Sequence, residues 1–153
     1  MNVVIVCPYD LGRNGGVQDQ AIRLVGWLGK LGHDVKLIGP GTEAPAGSEL
    51  PVGTVLIGRT RTVTANKSST PIMLNPRVRK ALSAAMADAD VVHIHEPLMP
   101  TVSLTATRIG DMPKVGTFHA DPPRWIRRTY RGAEMLLRPI VAKLDVATAT
   151  GPI

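Results

Sequence analysis

Short apolar runs alternate with amphipathic stretches along most of the chain. Residues 2–7 read NVVIVC, an apolar run typical of a buried parallel strand. The stretch 15–31 predicts an amphipathic helix, because its apolar residues recur at helical spacing: Val17, Ala21, Leu24, Val25, Leu28 and Leu31. Gly32 suits the end of this helix, since glycine readily accepts a left-handed conformation.

The same alternation continues to the end of the chain. Further strands are predicted at 34–39, 54–57, 61–65, 90–94, 114–118 and 146–150. Further helices are predicted from Pro76, at 99–109 and at 124–143, the last broken or kinked near Pro139. Loops are predicted at 40–53 and 66–75. Strands that alternate with helices predict an α/β fold, a Rossmann-like parallel sheet with helices on both faces.

Polar residues follow several of the predicted strands directly. Tyr9 follows the first strand, His95 and Glu96 end a central one, and His119 follows the next. The carboxyl ends of parallel strands meet at one edge of a sheet, where ligands of such folds bind. We therefore expect these side chains to gather along one rim.

A glycine pair, Gly15 and Gly16, stands between the first strand and the first helix. Glycine there leaves the backbone N–H groups uncovered at the positive end of the helix dipole, a position that suits a phosphate. The spacing matches neither the dinucleotide fingerprint nor the P-loop. A phosphate site and a plain turn therefore remain open alternatives.

The histidines also allow alternatives. His93 and His95 share one face of a strand. With Glu96 they suggest a metal site or, more simply, hydrogen-bonded histidines at a buried strand end, so no metal ligand is assigned and a divalent metal is possible but not indicated. His119 suits a proton carrier or a hydrogen-bond donor to a sugar. Cys7 is expected to be inert packing, and nothing in the sequence supports a hydrolytic triad.

Length and composition indicate one globular domain. The 153 residues are 44% hydrophobic but only 3% aromatic, so Val, Ile, Leu and Ala must build the core. No apolar run approaches the roughly 20 residues of a membrane span, and no basic region precedes the first run. The single cysteine cannot form an internal disulfide, so we expect a cytoplasmic protein.

The net charge of +6 is concentrated in one stretch. Residues 51–87 contain no Asp or Glu and six basic residues: Arg59, Arg61, Lys67, Arg77, Arg79 and Lys80. Such a field favours an anionic partner, although a solvated surface is the alternative. Nucleic acid is disfavoured, because no aromatic residues are interleaved for stacking. A second group either extends this field or forms a solvated helix face: Arg124, Arg127, Arg128 and Arg131.

Four segments together carry a family resemblance: VCPYD with GGVQ near the start, GH-D-V at 32–35, DVVHIHEP at 90–97 and GTFHA at 116–120. Their order and spacing resemble the N-terminal half of retaining glycosyltransferases of the GT-B fold, and within them the actinobacterial phosphatidylinositol alpha-mannosyltransferases. The resemblance covers nearly the whole chain. It implies an acceptor-binding domain over residues 1–153, with the C-terminal donor-binding domain absent from this chain and the fragment inactive alone.

The resemblance also implies a reaction and its participants. A hexose, expected to be mannose from GDP-mannose, would move with retention to a phosphatidylinositol-type lipid. Gly15 and Gly16 would meet the donor phosphates, and His119 would lie close to the transferring sugar. The acceptor would be bound by Tyr9, Gln18, Asn66, Lys67 and Arg124. The sugar nucleotide is the expected donor substrate, and no cofactor is expected in this domain.

A membrane location is implied as well. Arg77, Arg79 and Lys80 fall on a predicted helix that resembles the amphipathic helix by which these enzymes dock on anionic phospholipid. Each basic residue on such a surface contributes about 1 kcal/mol. The implied location is cytoplasmic, peripheral on the inner face of the cell membrane.

One loop departs from the family pattern, which reads Asn-Gly-Ser with an arginine a few residues on. Here the loop is Asn66-Lys67-Ser68-Ser69-Thr70-Pro71, without arginine. Lysine lacks the bidentate geometry that arginine offers a phosphate. A soluble sugar-phosphate or inositol-phosphate acceptor therefore stays open. So do a non-catalytic membrane- or phosphate-binding module and a Rossmann-like epimerase or dehydrogenase.

Overall fold

The computed structural model describes residues 1–47, 49–59, 61–65, 68–72, 78–119 and 134–151, with the backbone alone at 61–65, 68–72 and 136. The chain forms eight strands in this description: β1 (Asn2–Val6), β2 (Asp34–Gly39), β3 (Val55–Leu56), β4 (Arg61–Ala65), β5 (Ser68–Ile72), β6 (Val91–His95), β7 (Lys114–Phe118) and β8 (Val146–Ala149). The described helices are α1 (Gly16–Lys30), α2 (Val78–Ala85), α3 (Val102–Ala106) and α4 (Glu134–Val141).

Six of the strands form one parallel sheet in the order β3-β2-β1-β6-β7-β8. Successive strands run outward from β1 to β3, and the chain then returns to place β6 on the other side of β1. This reversal is the topological switch point of a Rossmann-like fold, and ligands bind in the crevice beside it. The predicted fold class is confirmed.

The strands alternate their side chains between two apolar layers. On β1, Val3 and Ile5 face the layer that contains Ala21 of α1, whereas Val4 and Val6 face the layer that contains Leu82 of α2. Burial of each such aliphatic side chain stabilises the fold by about 1.5–3 kcal/mol. Because both faces are covered, the strand is apolar throughout, and the prediction of helices on both faces is confirmed.

Two predicted elements need correction. Residues 66–75 were expected to be a loop, but β5 lies within them and pairs antiparallel with β4. Pro71 is compatible with this two-stranded ladder, because an edge strand tolerates proline. The helix expected at 99–109 is shorter: α3 ends at Ala106, and the Thr107 hydroxyl donates to the Leu104 carbonyl, a local bond that competes with further helix.

The remaining helices agree more closely with expectation. α1 begins one residue later than predicted, and the turn that follows it includes Gly32 at a positive φ of 83°. α4 contains Pro139 and ends two residues after it. Within the described residues, no helix combines the length and the apolar character that a membrane crossing requires.

Candidate functional site

The turn between β1 and α1 forms one side of the crevice at the switch point. Gly15 precedes the helix in an extended conformation that any residue adopts, and its carbonyl accepts the first helical bond from Asp19 N at 2.8 Å. A Cβ on Gly16 would meet no atom within 4 Å, so open space lies beside the first residue of the helix. The geometry is compatible with an anion that approaches the backbone there.

The side chain of Gln18 lies directly against Gly15. A Cβ on Gly15 would lie 2.5 Å from Gln18 Oε1. Gln18 is buried, and its Nε2 donates to the carbonyl of Asp10 at 3.3 Å. Tyr9 is half-buried and packs on the apolar layer of α1. The structure thus brings together four predicted residues of the turn: Tyr9, Gly15, Gly16 and Gln18.

The loop that leads into this turn rests on the end of β2. Leu11 is fully buried, and its N–H donates to the Pro40 carbonyl at 2.8 Å. A Cβ on Gly39 would lie 2.8 Å from the Cys7 carbonyl, so only glycine at position 39 lets the backbones of these two segments approach this closely. Asp10 Oδ1 accepts from Gly12 N at 3.0 Å, which closes the loop locally.

Three histidines, which we call the histidine row, form the other side of the crevice: His93, His95 and His119. The rings of His93 and His95 are parallel within 7°, with centroids 4.8 Å apart. Nδ1 of His95 lies 2.7 Å from Nε2 of His119. Ring faces pack roughly 3.5 Å apart, so this shorter contact is a hydrogen bond between ring edges. The simpler prediction, hydrogen-bonded histidines at a strand end, is confirmed.

Hydroxyl groups extend the row toward the edge of the sheet. His93 Nε2 lies 2.7 Å from Thr117 Oγ1, which lies 2.7 Å from Thr148 Oγ1 of β8. On the other side, the buried Ser103 of α3 donates from its hydroxyl to the His95 carbonyl at 2.6 Å. Hydrogen bonds therefore connect the polar side chains on this part of the sheet, whereas Nε2 of the buried His95 has no partner among the described residues.

Glu96 ties the histidine row to the backbone. Its φ of 49° is uncommon for a residue with a side chain, and such conformations cluster at functional sites. The conformation follows directly on β6, where the Glu96 N–H donates to the Thr117 carbonyl at 2.8 Å. Glu96 Oε1 accepts from the His119 N–H at 2.7 Å. This carboxylate therefore holds the backbone of His119.

Burial controls the ionisation of these groups. It lowers the pKa of His93 to about 4 and that of His95 to about 3, with repulsion from neighbouring histidines adding to the effect. Burial also lowers the pKa of His119, although the nearby Glu96 opposes this. All three rings are neutral at pH 7. Burial raises the pKa of the Cys7 thiol to about 12, which agrees with inert packing.

The histidines do not converge on a point where a metal ion could lie. Their contacts run to each other and to Thr117, and the described part of the chain holds no group of three or more His, Cys, Asp or Glu side chains suited to a metal.

The remaining predicted residues fall into two groups. Arg79 and Lys80 are exposed on α2, while Val78 and Leu82 of the same helix are buried, so the predicted amphipathic pattern is present there. The others lie outside the described residues: Asn66, Lys67, Arg77, Arg124, Arg127, Arg128 and Arg131.

Sequence reasoning missed the roles of Ser103, Thr117, Thr148 and Glu96. Thr117 and His119 are two residues apart, as are His93 and His95. This spacing indicates that each pair shares one face of its strand, and it was the signal in the sequence for two neighbouring rows of polar side chains. The pairing depends on the register of His95 with Thr117, which the structure supplies.

Comparison with known proteins adds a family to this geometry. The model of the family described as Glycosyltransferase Family 4 matches residues 14–151. The phosphatidyl-myo-inositol mannosyltransferase of Propionibacterium freudenreichii is 36% identical, over 97% of this chain and 40% of the relative. The proteins of that name from Mycobacterium tuberculosis and Mycolicibacterium smegmatis are 31% identical, each over 94% of this chain and 37% and 36% of their own.

A solved structure supports the fold independently. It is an alpha-glucosyltransferase in complex with UDP and a 13-mer DNA containing a HMU base, with a TM-score of 0.56 and 17% identity. The match covers 97% of this chain and 37% of that one. At this identity the similarity shows a shared fold alone. This chain spans about two fifths of the length of the proteins it matches.

Proposed function

Because the chain belongs to glycosyltransferase family 4, we propose that it is the acceptor-binding domain of a retaining mannosyltransferase with two domains. The reaction moves mannose from GDP-mannose to a phosphatidylinositol-type lipid. The carrying observation is the 36% identity to a phosphatidyl-myo-inositol mannosyltransferase along 97% of the chain. The second domain would bind most of the donor, so the 153 residues alone are expected to be inactive.

The crevice at the switch point gives this proposal a location. The glycine pair after β1 and the histidine row at the ends of β6 and β7 lie at the same edge of the sheet. In the proposed reaction, the N–H groups beside Gly16 meet the donor phosphates, and His119 contacts the transferring sugar. Tyr9 and Gln18 line the acceptor side.

The protein contributes positioning and charge stabilisation to this reaction. The acceptor hydroxyl attacks the face of the sugar from which the nucleoside diphosphate leaves, and a donor phosphate oxygen takes the acceptor proton. Open space and uncovered N–H groups at Gly16 suit the negative charge that develops on the leaving phosphate. The histidine row carries no charge at pH 7 with which to compete for that phosphate.

Docking on an anionic membrane is the proposed role of the basic stretch. Arg79 and Lys80 are exposed on α2, and Arg77 precedes them in the sequence. Asn66, Lys67 and Arg124 are the proposed contacts to the acceptor phosphate. The proposed location is the inner face of the cell membrane.

A second acceptor class is favoured by one observation. The segment 66–71 contains Lys67 and no arginine, unlike the family pattern. This departure from the pattern of the enzymes with a lipid acceptor makes a soluble inositol phosphate or sugar phosphate the second candidate. The two acceptor classes share a phosphate and differ in the lipid tail.

A transfer assay tests the function and separates these acceptors. The complete enzyme, meaning this chain joined to the proposed donor-binding domain, would be given radiolabelled GDP-mannose with phosphatidylinositol vesicles or with soluble inositol phosphate. Label in the lipid phase supports the proposal, and label only in the soluble product supports the second acceptor class. Transfer from UDP-glucose but not from GDP-mannose, or no transfer from either donor, would contradict it.

Charge variants test the membrane role by sedimentation with vesicles. Replacement of Arg77, Arg79 and Lys80 by serine is expected to weaken binding to anionic vesicles by about 100-fold, because each basic residue contributes about 1 kcal/mol. Serine at Arg23 and Lys30, which lie on α1, serves as the control because it removes positive charge from another helix. Equal loss in both variants would show a general charge effect and contradict docking through α2.

A further inference from the structure

The hydrogen bond between His95 and His119 links the protonation of the two rings. Nδ1 of His95 and Nε2 of His119 are 2.7 Å apart, so one nitrogen donates and the other accepts. A neutral imidazole carries one ring proton. The choice of donor therefore fixes the tautomer of both histidines.

The second nitrogen of His95 decides between the two arrangements. His95 is fully buried, and its Nε2 has no hydrogen-bond partner among the described residues. If His119 donated, the proton of His95 would lie on Nε2 as an unpaired buried N–H group. Unpaired buried N–H groups are rarer than unpaired acceptors. The donor is therefore Nδ1–H of His95.

We infer that His95 is a positioning residue that holds His119 in the Nδ1–H tautomer. In this form His119 offers an N–H donor to a bound molecule, because its only lone pair on the ring is committed to His95. The inference rests on the proposed function, in which His119 contacts the transferring sugar. A sugar hydroxyl oxygen accepts from this N–H group, and the alternative of His119 as a proton carrier is set aside.

Three further contacts hold this pair in place. The Ser103 hydroxyl donates to the His95 carbonyl at 2.6 Å, and the His93 ring packs parallel to the His95 ring. Glu96 Oε1 accepts from the His119 N–H at 2.7 Å. His95 and His119 are thus both held through their backbones, and His95 is also held through its ring. A fixed hydrogen bond between the two rings requires this kind of support.

Nitrogen NMR tests the tautomer without substrate. The chain contains four histidines, so ¹⁵N-histidine labelling gives few ring signals, and His33 provides a reference away from the row. At pH 7 we expect a protonated Nδ1 and an unprotonated Nε2 for both His95 and His119. A proton on Nε2 of either ring would overturn the inference.

Variants of His95 test the consequence for catalysis. His95→Leu removes the donor, and in the complete enzyme it is expected to lower kcat about 10-fold or more, with less than about a 2-fold change in KM for GDP-mannose. His95→Asn places an amide near the position of Nδ1 and is expected to recover most of kcat and the Nδ1–H tautomer of His119. His93→Leu serves as the NMR control, because it removes a ring of the row without touching His119 Nε2.

The outcomes separate the inference from the proposed function. Wild-type kcat in a folded His95→Leu variant, or no recovery in His95→Asn, would overturn the positioning role. Should His95→Leu fail to fold, the comparison of His95→Asn with His95→Gln, whose amide reaches the Nε2 position instead, decides the same question. Absence of mannosyl transfer in the unmodified enzyme would contradict the proposed function, while the spectra would still decide the tautomer.

Discussion

The two sides of the crevice are built in opposite ways. In the histidine row, buried polar side chains hydrogen-bond to one another. Hydrogen bonds from the side chains of Ser103 and Glu96 also hold the backbones of His95 and His119. In the turn at Gly15 and Gly16, the helix begins without a side-chain cap and faces open space. The histidine row is thus prearranged and neutral, whereas the backbone N–H groups of the turn are left available to a ligand. This division suits a reaction in which a fixed group orients the sugar and a helix start receives the departing phosphate.

Acid is expected to destabilise the histidine row more than any single substitution. Burial holds the pKa of His93 near 4 and that of His95 near 3, below the ordinary value of 6.5, so the unfolded chain binds protons first as pH falls. Stability from these groups is complete above pH 6.5 and is lost toward pH 4 and 3. Between pH 7 and 5, each should lower the free energy of unfolding by about 2 kcal/mol.

Urea unfolding at a series of pH values measures this loss. His93→Asn removes one of the two buried groups, and its pH dependence should shrink by about half. A profile that is flat between pH 7 and 5 would show that the row is already protonated or exposed, contrary to the structure.

Crowding beside the row gives the next largest effect. A Cβ on Gly116 of β7 would lie 2.6 Å from Leu144 and 2.7 Å from Pro97. Gly116→Ala is therefore expected to lower the free energy of unfolding by about 1–3 kcal/mol. Gly26→Ala on α1, where a Cβ meets nothing within 4 Å, is the control and should raise stability by up to about 1 kcal/mol. Equal midpoints for the two variants would count against a tightly packed row.

Substitutions in the turn should change the stability of the fold only slightly. Gly15→Ala forces the Gln18 amide to move and is expected to lower the free energy of unfolding by about 1 kcal/mol, because Gln18 loses its bond to Asp10. Gly16→Ala, which projects into open space, should be neutral within about 0.5 kcal/mol. Thermal unfolding of the pair checks this, and a larger loss at Gly16 than at Gly15 would reverse the described geometry.

Local pattern predicted the framework, because burial on two faces makes a strand such as β1 apolar throughout and an amphipathic spacing marks α1. It predicted that His93 and His95 share a face, since side chains alternate along a strand. It could not predict that His95 bonds to His119, because that contact depends on the register between β6 and β7. The same limit explains Thr148, which reaches the row from β8 through pairing alone.

The errors have local causes as well. Ser68, Ser69 and Pro71 are more typical of a loop than of a strand, yet pairing with β4 makes them β5. The roles of Asn66, Lys67, Arg77 and Arg124 stay predictions, since these residues lie outside the described part of the chain. The GT-B assignment from four scattered segments is confirmed by the family match and by the structural neighbour.

The central claim is that the open turn receives the donor phosphates, and one kinetic measurement tests it most directly. Gly16→Val in the complete enzyme places a branched side chain in the open space beside the helix start while leaving the core intact. We predict that kcat/KM for GDP-mannose falls by about 100-fold, with the thermal midpoint unchanged within a few degrees. Transfer at the unmodified rate by a folded Gly16→Val enzyme would contradict the claim.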